Sequence, residues 1–398
     1  MLFLQHAGVL SAYLILVAQA SFIARTADGE FDLSDRYIVS LKPGIDMDKH
    51  LSFVQDLHNS SMGTVEGKTF GGVSHEFNIG DFKAYAGHFD PAVVEKLKNH
   101  EDTEDEGPPP PTHETLVKQK QAPWNLHRIS HRGMMDQGNY WFARAAGRGT
   151  FIYFLDSGIN PDHSEFQGRT QPAPEPAKPI DTNGHGTFIA GILGGRTYGV
   201  SKKSILVPVK ILDHRRSTTK TALLQGYTWS VNHILTNNRV GKSVINISSS
   251  GKQSAAINDA VDAAYAKGVV TVVPAGNQNS NAALMSPASA RRAITVGATD
   301  RNKARTRFSN WGPRVNIFAP GYKICSAWIG GSNRALRGAS GTAEAAAHVA
   351  GMIAYFQSFN HLRTAETAVQ FLDVVSTRGV VRNEKQASNL FAYNFSGK

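Results

Sequence analysis

Val269-Val270-Thr271-Val272-Val273-Pro274-Ala275-Gly276-Asn277 is an apolar run that stops on a proline, a glycine and an amide side chain. A run without polar alternation reads as a strand covered on both faces. Gly149-Thr150-Phe151-Ile152-Tyr153-Phe154-Leu155 and Ile205-Leu206-Val207-Pro208-Val209-Lys210 read the same way. Helical stretches separate these runs, so everything beyond Ala122 is expected to be an α/β domain on a mainly parallel sheet.

Working outward, the sequence from Glu101 to about Lys120 turns acidic and then carries Pro108 to Pro111 in a row. Such a stretch stiffens toward polyproline II and offers no core, so 107–121 is expected to be a linker. Ahead of it, Arg36 to Leu41 and Phe82 to Phe89 read as strands. His50 to His58 reads as a helix with Leu51, Val54 and Leu57 on one face, and Pro91 to Lys98 as a proline-started helix. These elements make 21–106 a small α+β domain. Residues 1–20 contain the apolar stretch Val9 to Ala18 and the small-x-small string Ala18-Gln19-Ala20, the pattern of a signal peptide, which implies a secreted, extracellular protein. An uncleaved membrane anchor is the alternative, although the span is short for one.

The chain has 398 residues, enough for two or three units. Its 41% hydrophobic content, 19% charged content and 37 glycines fit a globular protein rich in tight turns. The net charge of +10 comes from scattered residues such as Arg215, Arg216, Arg291 and Arg305, with no nucleic-acid-binding signature, so no nucleic-acid partner is expected. No stable membrane association is expected either, and the protein reads as a monomer. Cys325 is the single cysteine, so no intramolecular disulfide supports the fold, and it is expected to be a small buried residue. Of the sequons at Asn59, Asn246 and Asn394, Asn246 lies inside the strand-like run Val244 to Ile247. Asn59 and Asn394 are therefore the expected glycan acceptors.

Four segments carry candidate chemistry. In Phe154-Leu155-Asp156-Ser157-Gly158-Ile159 a carboxylate ends a strand. In Asp181-Thr182-Asn183-Gly184-His185-Gly186-Thr187-Phe188-Ile189-Ala190-Gly191 glycines flank a histidine. Asn277 ends the third, and Ser340-Gly341-Thr342-Ala343-Glu344-Ala345-Ala346-Ala347-His348-Val349-Ala350-Gly351 is the fourth. Taken together these segments resemble the subtilase family of serine proteases, most closely its fungal proteinase K branch, from about Ala122 to Asn394. Ala122-Pro123-Trp124-Asn125-Leu126-His127-Arg128-Ile129-Ser130 is similar to the start of the mature enzymes of that branch, and the upstream domain looks like their inhibitory propeptide.

The resemblance implies a subtilisin-like three-layer fold, with Asp156 as triad aspartate, His185 as general base and Asn277 as oxyanion donor. His348, in an alanine-rich helical run, is expected to be packing. Where the family has the nucleophilic serine, the ungapped register on Gly341-Thr342 and on His348 to Gly351 places Ala343, and a methyl group cannot attack a carbonyl. Ser340 lies three residues earlier and matches the family's first serine, so using it as nucleophile requires rebuilding the turn. The groove departs too: Arg216-Ser217-Thr218 stands for Gly-Ser-Gly on one edge, and Ser248-Ser249-Ser250-Gly251 for Ser-Leu-Gly-Gly on the other. Side chains at former glycines are expected to narrow or recharge the groove.

No cofactor is expected. The family's calcium position matches Asn316, a neutral amide beside the cationic Arg291, which weakens the case for that ion. The implied partners are a peptide or protein in the groove and the chain's own propeptide in cis. Without a nucleophile, self-cleavage fails and residues 21–121 stay attached unless another protease cuts near Lys118 or Lys120. Three functions stay open: a catalytically impaired homologue that binds peptides; a working endopeptidase using Ser340, or whose serine was exchanged in the laboratory; and a trans-inhibitor acting through its propeptide. Glu344 for methionine and Ala347 for proline, with the altered edges, are more than a single laboratory exchange would leave.

Overall fold

The computed structural model describes residues 36–41, 45–61, 70–79, 82–98, 116–133, 138–171, 180–358, 362 and 364–397. The expected signal peptide and most of the expected linker lie outside the described residues. The chain divides into two compact units between Thr112 and His113.

The first unit contains β1 (Arg36–Leu41), α1 (Met47–Ser61), β2 (Gly72–Ile79), β3 (Phe82–His88) and α2 (Pro91–Lys98). Its three strands form an antiparallel sheet in the order β1-β3-β2. Val39, Leu41, Val54, Tyr85, Phe89 and Leu97 close its core, so the apolar faces read from the sequence meet there. α1 begins three residues before the expected start because Asp46 Oδ1 caps it, accepting from the Asp48 and Lys49 amides at 3.1 and 3.3 Å.

The second unit opens with β4 (Leu116–Lys120), α3 (Trp124–Ile129), β5 (Asn139–Ala143) and β6 (Phe151–Asp156). It continues through α4 (His185–Gly194), β7 (Ile205–Lys210), α5 (Lys220–Thr236), β8 (Ser243–Ile247) and β9 (Gly251–Lys252). Next come α6 (Ala255–Ala266), β10 (Val270–Pro274), β11 (Met285–Ser286), β12 (Ile294–Thr299) and β13 (Ile317–Pro320). It ends with β14 (Ile324–Ala327), β15 (Leu336–Ala339), α7 (Thr342–Gln357), α8 (Ala365–Val375), β16 (Thr377–Arg378) and β17 (Leu390–Phe391).

Eight strands form the main sheet in the order β16-β17-β13-β12-β10-β8-β6-β7, and every pair is parallel except β16-β17. Of the apolar runs that open the sequence reading, β10 and β6 lie inside this sheet and β7 closes one edge; β10 is buried throughout and the other two along most of their length. Leu223, Tyr227 and Ile234 of α5 and Ile257 and Val261 of α6 pack on one face. α4 and α7 are buried along their whole lengths and pack together against the sheet. A helix apolar all round requires such a setting, and the alanines of α7 keep its cross-section small enough to fit.

One expectation is corrected here. Leu116–Lys120, assigned to the linker by its neighbourhood of prolines, is strand β4, paired antiparallel with β5 from Leu116↔Ala143 to Lys120↔Asn139. Gln119 Nε2 donates to the Thr197 carbonyl at 3.0 Å, and Lys118 Nζ lies 5.0 Å from the Trp141 ring centroid. Cleavage at Lys118 or Lys120 would therefore break a paired strand, and the junction between the units falls ahead of Leu116.

Candidate active site

β6 ends on Asp156, which is fully buried, and its carboxylate accepts from the Ser157 amide at 2.7 Å. Nδ1 of His185, the first residue of α4, lies 2.9 Å from both carboxylate oxygens of Asp156. The buried ring lines a cavity.

His185 owes its place to the residues before it. Gly184 sits at φ 101°, and a Cβ there would come within 2.5 Å of the Trp328 ring. A Cβ on Gly186 would come within 2.0 Å of the Gly158 carbonyl. Only glycine turns the chain this sharply and seats α4 this tightly against the strand exit. Asp181 holds the same turn: it accepts from Ser157 Oγ, the Asn183 and Gly184 amides, and the amide and hydroxyl of Thr187, at 2.7–3.0 Å. Burial alone would push the Asp181 carboxyl up, but the hydrogen bonds from Gly184, Thr187 and Ser157 outweigh it and hold it below the usual range. Asp181 opens the quoted histidine segment, yet the sequence reading gave it no role.

Asn277 lies three residues beyond β10. Its Oδ1 accepts from the Thr342 amide at 3.0 Å and the Thr342 hydroxyl at 2.9 Å, and the Thr342 Oγ1 in turn accepts from the Gly276 amide. With Oδ1 fixed, Nδ2 is presented as the donor. It lies 3.2 Å from the point where a Gly341 Cβ would stand.

Ala343 is the second residue of α7 and lines two adjoining cavities of about 450 and 360 Å³ together with Asn277 and Arg216. His185 lines the first. Ser340 lines the same first cavity, is exposed, and its Oγ accepts from the Lys323 amide at 2.8 Å. Among the described residues no hydroxyl is hydrogen-bonded to His185. Glu344 is only 4% exposed in the first cavity. Burial pushes its carboxyl up, and the charges of His185 and Arg216 draw it part of the way back.

The groove residues divide. Arg216 lines both cavities, at φ 61° in a turn organised by Asp213, whose Oδ1 accepts from the Arg215 and Ser217 amides at 2.8 Å each. Ser248, Ser249 and Ser250 line the second cavity. Ser217 and Thr218 line neither and are not in a strand, so the expected first edge is a turn. Gly251 pairs with Ser286 in β9-β11 instead of lining a cavity. Phe188, Trp328 and Arg337 line the first cavity without having been picked out as site residues; the last two arrive on the β14-β15 hairpin, which no local motif announces.

His348 is fully buried, bonded to the Glu344 carbonyl and to Asn125. Asn316 accepts from the Thr295 amide at 2.8 Å, so its one carbonyl oxygen already has a donor, and among the described residues no group of three or more His, Cys, Asp or Glu side chains is placed to hold a metal. The residues present do not fit a tightly held hard cation at Asn316. Cys325 is half-buried. Asn394 is corrected as a glycan acceptor: it is fully buried and its Nδ2 donates to the Trp141 carbonyl at 2.6 Å, which leaves no room for a sugar. Asn59, near the end of α1, is exposed.

The site thus couples a carboxylate-held imidazole to a fixed amide donor across a cavity, the geometry of acyl-transfer chemistry, with no hydroxyl of the described residues hydrogen-bonded to the imidazole. Comparison with known proteins agrees with this architecture. The model of the subtilase family matches residues 147–393, and that of the peptidase inhibitor I9 family matches residues 36–105. Alkaline protease 1 of Aspergillus clavatus is 41% identical over 368 residues, spanning 90% of this chain and 91% of that protein. The alkaline proteinase of Hapsidospora chrysogena is 41% identical over 404 residues, spanning 97% and 98%. A crystal structure of a cold-adapted subtilisin-like serine proteinase matches with a TM-score of 0.65 at 35% identity, covering 69% of this chain and 99% of that one. On its fold, its site and these matches, the chain belongs to the subtilase family, with an inhibitor I9 domain ahead of the peptidase domain.

Proposed function

We propose that the protein is a secreted, proteinase K-like subtilase homologue that keeps a peptide-binding cleft but hydrolyses peptide bonds poorly, because Ala343 stands at the nucleophile position. The observation that carries this reading is Ala343 itself: a methyl side chain in the cavity that holds His185 and Asn277, with Ser340 Oγ bonded to the Lys323 amide. Relatives named as alkaline proteases support an endopeptidase ancestry. Loss of the nucleophile in subtilisin, a member of this family, costs on the order of a millionfold in turnover, with slow residual catalysis left over. The I9 domain, normally cut away by the active site, stays covalently attached. This reading includes no cofactor and no calcium at Asn316, and takes the protein to act as a monomer.

Casein hydrolysis by the secreted protein and by its Ala343→Ser variant tests the proposal. The expected result is no hydrolysis above background for the wild type and a gain for the variant; vigorous hydrolysis by the wild type would overturn it.

A further inference from the structure

The first cavity holds charges that the Asp156-His185 pair does not use. Trp328 gives the cavity an aromatic wall, backed edge to face by the fully buried Phe188 with centroids 6.2 Å apart. Arg337 lies over the Trp328 ring, 4.3 Å from its centroid. Arg216 enters from the Asp213 turn, at φ 61°.

Both arginines are exposed, and among the described residues neither guanidinium makes an ion pair. Among the described residues that line the cavity the one acid is Glu344, which is buried, whereas both arginines are exposed, so the charge open to solvent there is positive. Asn277 adds a neutral donor, its Oδ1 being held by Thr342. Two planar donor forks, an amide N–H and an aromatic wall are complementary to a carboxylate on a short apolar stem.

We propose that this cavity is a carboxylate receptor: a peptide's carboxylate is held by Arg216 and Arg337, and the apolar stem that carries it lies against Trp328. The inference rests on the reading of the chain as a peptide-binding, poorly hydrolysing scaffold. The carboxylate comes from a peptide C-terminus or from an aspartate or glutamate side chain, two sources with the same chemistry.

The test uses the full chain and three fluorescent hexapeptides of otherwise identical sequence: one with a free C-terminal acid and no acidic residue, one with a C-terminal amide and no acidic residue, and one with a C-terminal amide and an internal glutamate. At least one carboxylate peptide is expected to bind tenfold or more tighter than the uncharged peptide, about what one charged hydrogen-bonded contact supplies. Which peptide gains identifies the source. The preference is expected to collapse in both Arg216→Gly and Arg337→Gln. Arg216→Gly suits the positive φ and Arg337→Gln is exposed, and their thermal midpoints report whether each stays folded. Equal affinity for all three peptides, or a preference that survives both substitutions in folded protein, overturns the inference. Mass spectrometry of the bound peptides separates the two readings: cleaved peptides with the preference intact would sink the poorly-hydrolysing reading and support the receptor, whereas intact peptides bound without preference would sink the receptor alone. No binding of any peptide sinks both.

Discussion

Thr342 holds Asn277 through two hydrogen bonds to one oxygen, from its amide at 3.0 Å and from its hydroxyl at 2.9 Å. The orientation of the Asn277 amide is thereby set by the residue before Ala343, not by a nucleophile. Under the proposed reading the donor remains preorganised in a site that no longer uses it.

In an Ala343→Ser background, Asn277→Ala is expected to lower kcat on a peptide amide roughly 100- to 1,000-fold. Thr342→Val, which removes one of the two anchors, is expected to lower it by a smaller factor, about tenfold. Steady-state kinetics of the three proteins checks the ranking.

Asp181 is a buried carboxylate that accepts five hydrogen bonds around the turn before His185. Asp181→Ala orphans those donors and is expected to destabilise the fold by about 3 kcal/mol or more in urea unfolding. Because its folded pKa lies below the unfolded value, its contribution is complete above the ordinary carboxylate range and is lost as pH falls through the folded pKa.

His348 gives a different acid dependence. Its Nδ1–H donates to the Glu344 carbonyl at 2.7 Å and its Nε2 accepts from Asn125 Nδ2 at 2.8 Å, an arrangement for the neutral ring, and burial pushes its pKa down to about 4. Between the ordinary histidine value and about 4 the unfolded chain takes up a proton that the fold refuses. Stability is therefore expected to fall by roughly 3 kcal/mol on acidification across that window. Urea midpoints from pH 7 to 4 measure the slope, which His348→Gln should flatten.

Glu344 is a buried carboxyl with a raised pKa, so above that pKa its ionisation opposes folding. Glu344→Met is expected to stabilise the protein by about 1 to 3 kcal/mol at neutral pH, with the gain shrinking at acid pH as the wild-type carboxyl becomes neutral. Midpoints that do not differ at neutral pH would contradict this.

Much of this was legible in the chain because Asp156, His185 and Asn277 each sit where a strand or helix boundary leaves a local trace: an apolar run that stops, or a glycine beside a polar residue. What was illegible depends on distant partners. β4 is a strand because β5 pairs with it, and the adjacent run of prolines hid that. Asn394 carries an acceptor sequon whose burial is decided by packing near Trp141. Trp328 and Arg337 reach the cavity on a hairpin closed by tertiary contact, so no spacing pointed to them. Arg216 was legible as a departure from glycine, but its companionship with Arg337 was not.

The most direct measurement of the central claim is labelling of the secreted protein with an active-site fluorophosphonate, beside its Ala343→Ser variant, with intact mass recorded for both. The account predicts an unlabelled wild type that retains its I9 domain, and a labelled variant that releases it by cleavage ahead of Leu116. A wild-type protein that takes up the label at a serine, or that removes its own I9 domain when made in a protease-free host, would contradict it.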